Sequence, residues 1–266
     1  MTQISEQHNP GVTLLITHYN RSESLKRLLY ALREHDISFE DIVVSDDGSK
    51  EEHFNAVKSL QEEINFRLVG TRANRGLGST MNAGQDAVRT PFILYTQDDF
   101  VPTRALGRAI AEGLEIMKQE PEWDIVRFYA FPWAPYPYLK PYKKGFSEMM
   151  FSLAPWYFSH LKFYVYSDHP HLKRSSFPEK FGRYFEAPGV DRTEMAMCRS
   201  FLKNKGRGLF YNNFKDLFEH SNTEDEPGIF RPDKVKTKKF SDIKILHRIY
   251  LKYKVLKETI SYILSK

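Results

Sequence analysis

Three clusters of polar residues stand directly behind apolar runs. Residues 91–96 (PFILYT) lead straight into Gln97-Asp98-Asp99. Two adjacent carboxylates at a strand end repel each other unless a cation or hydrogen-bond donors compensate. A divalent ion shared with substrate phosphates is one common solution; a helix cap or solvated turn is the competing one. Residues 41–45 (DIVVS) lead into Asp46-Asp47-Gly48-Ser49. Asp and Gly suit a turn, and a carboxylate there can also accept a hydrogen bond from a ribose hydroxyl or a base N–H. Asn74-Arg75-Gly76-Leu77-Gly78 opens a helical pattern, where glycines and a helix N-terminus let backbone N–H groups approach a phosphate. The dinucleotide fingerprint is absent. His18-Tyr19-Asn20-Arg21 follows the first apolar run without a glycine, and Gly76 and Gly78 lack the third glycine required.

The elements that must position these clusters alternate in type. Apolar runs at 12–17, 41–45, 65–69, 91–96 and 124–129 read as buried strands. Helical periodicity fills 22–34, 51–63, 78–88 and 103–118, with Leu25, Leu28, Leu29 and Leu32 on one face of the first helix and Ser22 as its cap. This alternation predicts an α/β fold: a mainly parallel central sheet covered by helices. Ligands of such sheets bind beyond the carboxyl ends of the strands. That rule selects residues 18–21, 46–49 and 97–100. The later chain is less regular. Residues 132–141 (PWAPYPYLKP) exclude a helix or a central strand, whereas 192–205 regains helical character.

Composition bounds the class. The chain has 266 residues, 41% hydrophobic and 27% charged, enough for one large domain with a core of its own. A single cysteine, Cys198, excludes an internal disulfide and a CxxC metal site, and it fits a reducing compartment. The polar opening MTQISEQHNP is no signal peptide, and no apolar run reaches membrane-spanning length. The net charge of +5 gathers towards the lysine-rich end after Lys234. No nucleic-acid motif accompanies it.

Taken together, VTLLITHYNRSESLKRLL, DIVVSDDGS, NRGLGSTMNAG and FILYTQDDFVP resemble, in order and spacing over about the first 105 residues, the nucleotide-sugar-binding half of family 2 glycosyltransferases with the GT-A fold. The resemblance implies a metal-dependent, inverting transfer of a sugar from a nucleotide-sugar donor, a UDP-sugar by default, to a glycan or lipid-linked acceptor in surface polysaccharide or glycan assembly. It implies that Thr17, Tyr19 and Arg21 line the nucleotide pocket, that Asp46 binds the base, that Arg75 and Gly76 serve the donor, and that Asp98 and Asp99 hold donor and metal, Mn2+ or Mg2+. Gln97 stands where the family's first acidic residue is usual. PHLKRSSFPEKFGRYFE and VDRTEMAMCRSFLKNKG are similar to the family's acceptor-side segment and its catalytic helix. The general base is then Glu194, by its distance to Gly206, or Asp191; both also suit a helix N-terminus. A late histidine reaches the metal in many GT-A enzymes. His220, after the apolar run 208–211, matches that place, although a lone histidine is more often structural.

These expectations divide the chain into a catalytic domain at 1–230, with halves at 1–105 and 106–230, and a basic amphipathic tail at 231–266. The tail carries Ile245, Leu246, Ile249, Leu256, Ile260 and Ile263 at helical spacing, interleaved with lysines. It has two readings: a terminal helix packed on the domain, or a helix on an anionic membrane, which would make the protein cytoplasmic and peripheral. Most aromatics between 128 and 166 are expected in the core, with the loop 133–142 as the acceptor contact. Two rivals differ in class. A nucleotidyltransferase would need a glycine-rich basic loop after the first strand. A non-catalytic carbohydrate- or nucleotide-binding protein derived from a transferase is the other.

Overall fold

A strand that is apolar on every residue has no side to show to water, so it must be covered on both faces. Val12, Leu14, Leu15 and Ile16 are fully buried in this way. They belong to β1 (Gln7–His18) in the computed structural model of the chain, which describes residues 7–132, 134–186, 189–220 and 244–264. The first half continues as expected: α1 (Ser22–Glu34), β2 (Ile37–Asp47), α2 (Glu51–Glu63), β3 (Arg67–Thr71), α3 (Leu77–Asp86), β4 (Phe92–Gln97), the short β5 (Phe100–Pro102), α4 (Ala105–Gln119) and β6 (Ile125–Arg127). Beyond it lie β7 (Leu139–Pro141), β8 (Phe146–Met149), β9 (His171–Arg174), α5 (Phe177–Phe181), α6 (Val190–Lys203), β10 (Gly208–Tyr211), β11 (Phe218–His220) and α7 (Lys244–Leu264).

Among the described residues the main sheet has nine strands in the order β3-β2-β1-β4-β9-β6-β10-β8-β7. Strands β3, β2, β1 and β4 pair in parallel. Strand β9 is antiparallel to both β4 and β6, β10 is parallel to β6, and β8 turns against β10 and β7. All strands but β8 and β9 therefore run one way, as a mainly parallel sheet requires. Side chains alternate between two cores. Leu14, Ile16, Val44 and Leu94 join α1, α2 and α4 on one face. Leu15, Val43, Ile93 and Tyr95 join α3, α5 and α6 on the other.

Strands β4 and β6 do not pair with each other. Instead β9, contributed by residues 171–174, is inserted between them. HLKR has no strand signature, because His171 and Lys173 look like surface residues. Leu172 enters one core, while His171 and Lys173 are buried on the other side. Lys173 Nζ donates to Gln85 Oε1 at 2.9 Å and to the Tyr184 hydroxyl at 2.6 Å. The proline-rich stretch is compatible with β7 because that strand lies at the sheet edge, where Pro141 costs no central ladder bond. Of its aromatics, Tyr136 is buried, its hydroxyl donating to the carbonyls of Met150 and Lys162.

Candidate active site

The carboxyl ends of β1, β2 and β4 converge. In register, Thr17 lies between Ser45 and Gln97, and His18 lies beside Asp46. This pairing brings residues 18–21, 46–49 and 97–99 to one edge, the place that sheet topology assigns to a ligand.

Asp98 and Asp99 are both buried. Arg21 NH1 donates to Asp99 Oδ2 at 2.8 Å and lies 3.4 Å from Asp98 Oδ1. His18 Nδ1 is 2.9 Å from Asp98 Oδ2, while its Nε2 points to Asp46 Oδ2 at 3.9 Å. Burial pushes the Asp98 carboxyl up, and His18 and Arg21 pull against it. Burial disfavours the charge on Arg21, but Asp98 and Asp99 outweigh it and hold the guanidinium protonated. Arg21 also explains the start of α1. It takes the N-cap position with no side-chain cap, since a guanidinium carries no acceptor for the backbone N–H groups, and its donors go to the aspartates. Ser22, expected as the cap, instead meets His53 Nδ1 at 2.9 Å.

The second strand end shows how two adjacent aspartates divide their work. Asp46 closes a turn, accepting from Ser49 N at 2.9 Å and Ser49 Oγ at 2.5 Å. Asp47 reaches the next loop, accepting from the backbone N–H groups of Arg75 at 2.8 Å and Gly76 at 3.0 Å. The loop before α3 is thereby tied to β2 by a carboxylate. Sequence reading assigned Asp47 no such task. Gly48, at φ +72°, lets the loop pass: a Cβ there would lie 2.5 Å from the backbone of Ala73. Asn20, also in the left-handed region, braces β1 against this turn. Its N–H donates to Ser49 Oγ and its side-chain oxygen accepts from Lys50 N.

Thr17 is buried, with Oγ1 3.1 Å from the Tyr95 hydroxyl. Tyr19 is exposed. Arg75 is also largely exposed and pairs with Glu186 at 3.2 Å. A cleft of about 610 Å³ opens from Asp46 and Ser49 along α2 and β3 to Thr71 and Arg72.

A second pair of carboxylates, Glu194 on α6 and Asp168 in the segment before β9, is linked to this edge. Glu194 Oε1 accepts from Ser167 Oγ at 2.8 Å and from Asp168 N at 3.4 Å. The carbonyl of Asp168 in turn accepts from Gln97 Nε2 at 3.3 Å. Gln97, which stands where the family's first acidic residue is usual, thus links the two carboxylate clusters. Burial holds the Asp168 carboxyl well above the usual carboxylate range, and Glu194 adds to the shift. Arg127, fully buried nearby, is a further charge facing Glu194 and Asp168. Asp191, one turn before Glu194, is exposed on the first turn of α6. Sequence reading missed Asp168, and its only signal is an acidic residue between aromatics and a proline. It selected His18 within 18–21, at the end of the first strand, but gave it no role of its own.

The expected metal ligands are partly assembled. Strand β11 pairs with β5 so that His220 lies opposite Phe100, next to Asp99 in the chain; its side chain lies outside the described residues. Among the described residues no group of three or more His, Cys, Asp or Glu is arranged to hold a metal ion. Asp98 and Asp99 give oxygens to Arg21 and His18. As arranged, these carboxylate oxygens meet a guanidinium and an imidazole.

A family model for glycosyl transferase family 2 matches residues 13–203, well over half of the chain and all three strand ends. The chain belongs to glycosyl transferase family 2. A stretch of 90 residues is 29% identical to the putative glycosyltransferase EpsH of Bacillus subtilis strain 168, covering 34% of this chain and 26% of EpsH. Solved structures share the fold. The S. aureus TarS 1–349 complex with UDP-GlcNAc superposes with a TM-score of 0.59 at 13% identity, over 93% of this chain and 66% of TarS 1–349. The mannosyltransferase PcManGT from Pyrobaculum calidifontis, in complex with GDP-Man and Mn2+, gives 0.54 at 13% identity, over 96% and 75%. The family 2 match and these folds agree with the GT-A architecture expected from the motifs. The chain spans about a quarter of EpsH and two thirds of TarS 1–349.

Proposed function

We infer that this family 2 chain transfers a sugar from a nucleotide-sugar donor to an acceptor hydroxyl with inversion at the anomeric carbon. One observation carries the reading. Asp46, Asp98 and Asp99 converge at one sheet edge, and Glu194 is held across from them through Gln97 and Asp168. In this reading Thr17, Tyr19 and Asp46 receive the nucleoside, and Arg75 and Gly76 lie on the diphosphate side.

A sugar hydroxyl is a poor nucleophile at neutral pH. A carboxylate that takes its proton as the new bond forms contributes about 100- to 10,000-fold. Glu194 is that base here, and Asp191 is the alternative on the same helix. Burial and the charge of Glu194 raise the neighbouring Asp168 carboxyl well above the usual range, so Asp168 is not taken as the base. The departing nucleoside diphosphate gains negative charge, which preorganised cations offset. Arg21 is the cation at the Asp98–Asp99 pair. A Mn2+ or Mg2+ ion on Asp98, Asp99 and His220 remains part of the family's expectation, and no step here depends on it.

The donor is a UDP-sugar by default. TarS is held with UDP-GlcNAc and PcManGT with GDP-Man, so both bases belong in a screen. The acceptor side is a glycan or a lipid-linked hydroxyl in surface polysaccharide assembly, with the chain at the inner face of a membrane. The division into a catalytic domain to about residue 230 and a separate tail belongs to the same reading.

The test is a thermal-shift screen of nucleoside diphosphates and UDP-, GDP- and dTDP-sugars, each with and without manganese, since ligand binding to the folded state raises the melting temperature. A shift for one nucleotide class that is lost in Asp46→Ala, together with turnover of the matching sugar, supports the transferase. A shift without turnover favours a non-catalytic nucleotide- or carbohydrate-binding protein. The neutralised Asp98–Asp99 pair and Gln97 are what keep that second reading in view. No shift with any nucleotide, in a well-folded protein, overturns the transferase and leaves the carbohydrate-binding reading.

A further inference from the structure

Helix α7 meets the domain with one face only. Tyr262 packs its ring against Phe151 and Phe163, and Glu258 pairs with Arg199 at 3.3 Å. On the opposite side Ile249, Tyr253, Leu256, Ile260 and Ile263 are 47–63% exposed. Their spacing alternates four and three residues, which makes one continuous apolar seam along the helix. Both readings of the tail therefore have a face: one is packed, and the other lies open.

An apolar seam of this kind is covered by a second helix or by a lipid surface, and the residues beside it discriminate. Tyr250, Lys252, Lys257 and Thr259 flank the seam. The helix's one acid, Glu258, is turned to Arg199. A second copy of α7 would bring lysine towards lysine with no acid between them, the opposite of the charge pairing that joins helices. An acidic headgroup layer meets both lysines with opposite charge, and tyrosine suits the interface depth. The loop beside the helix, which carries Phe151, leaves Trp156 and Phe158 69% and 74% exposed. Among the described residues no helix is long and apolar enough to cross a membrane, so a helix lying in the interface plane is the compatible form.

The geometry points to α7 as an in-plane docking surface for an anionic lipid bilayer, its outer seam at the headgroup–acyl boundary and Lys252 and Lys257 on acidic headgroups. This deepens the membrane side of the function proposed above. It is tested without donor or acceptor, so either idea can fail alone.

The experiment is co-sedimentation of the full chain with phosphatidylcholine vesicles, with and without phosphatidylglycerol, at low and high salt. The chain is expected to pellet with the anionic vesicles at low salt and to stay in the supernatant with phosphatidylcholine alone. Each lysine near an anionic surface is worth roughly fivefold in partition, so Lys252→Gln with Lys257→Gln lowers it on the order of 30-fold. Leu256→Ser with Ile260→Ser, both on the outer face, abolishes pelleting while circular dichroism and any nucleotide-induced melting shift stay as in the parent. Absence of binding to anionic vesicles at low salt overturns the proposal, as does pelleting that neither double variant changes. A dimer in sedimentation velocity that the serine variant dissolves, without vesicle binding, assigns the seam to a second copy instead.

Discussion

At the residue scale the site is a problem of placing negative charge. Asp46, Asp98 and Asp99 are buried within one strand register of each other. Carboxylates so placed are tolerated only with donors or cations beside them. Ser49, His18 and Arg21 fill those roles. If Arg21 occupies the place of a cation, removing it should open that place. Arg21→Ala is expected to bind Mn2+ more tightly than the parent chain in a calorimetric titration without nucleotide. Equal or weaker binding would show that the guanidinium and a metal do not compete. For the base, Glu194→Gln is expected to lower transfer by about 100- to 10,000-fold with the melting temperature nearly unchanged. Asp191→Asn, on the exposed turn, should retain most of it. Single-turnover rates for the two variants decide between the carboxylates, and the reverse ranking would move the role to Asp191.

At the element scale the strands carry the precision and the loops carry the contacts. Strand β3 runs so close to β2 that Gly70, at φ +142°, has no room for a side chain: a Cβ would lie 2.0 Å from the Asp46 carbonyl. Any side chain there must push the β2 end that presents Asp46. Gly70→Ala is expected to destabilise the fold by more than about 1 kcal/mol, since the backbone conformation is also unfavourable for alanine. It should weaken nucleotide binding at the same time. Urea unfolding and a nucleotide titration read the two effects, and a variant with parental stability would mean that β3 can shift away freely. The loop before α3 is held differently, through the Asp47 carboxylate and two backbone N–H groups. Helix α6 places Glu194 while it packs Met197, Cys198 and Phe201 into the core. The same helix thus serves the fold with one face and the site with the other.

At the scale of the whole molecule two buried ionisable groups shape stability against pH. Burial pulls the Lys173 amine down to about 7, against ~10.4 in an unfolded chain. Between those values the unfolded chain holds a proton that the folded one has released, so this group makes stability rise as pH climbs from about 7 towards ~10.4. Lys173→Met should remove that rise and raise the urea midpoint at neutral and acidic pH relative to alkaline pH. An unchanged pH slope in the variant would show that Lys173 stays charged beside Gln85 and Tyr184. Asp168 acts in the opposite sense. Its folded value is raised, so its contribution is full at low pH and declines upward from ~3.9.

The amino-acid sequence determined the parts of this protein whose signal is local. Apolar runs gave β1, β2, β4 and β6, helical periodicity gave α1 to α4 and α6, and the clusters behind those runs marked the edge where a ligand belongs. Asp98 and Asp99 were legible because the pair directly follows PFILYT, at a strand end where sheet topology places a ligand. The tertiary structure alone decided the rest, since those features depend on what distant segments bring. HLKR is a central strand only because Gln85 and Tyr184 can receive its buried lysine. Asp168 becomes a partner of Glu194 because β9 delivers it to the end of β4, where Gln97 holds its carbonyl. Arg21 became a counter-ion where sequence spacing showed only a residue before a helix. Periodicity reports which side of an element is buried, whereas the charge that meets a buried carboxylate is set by residues far away in the chain.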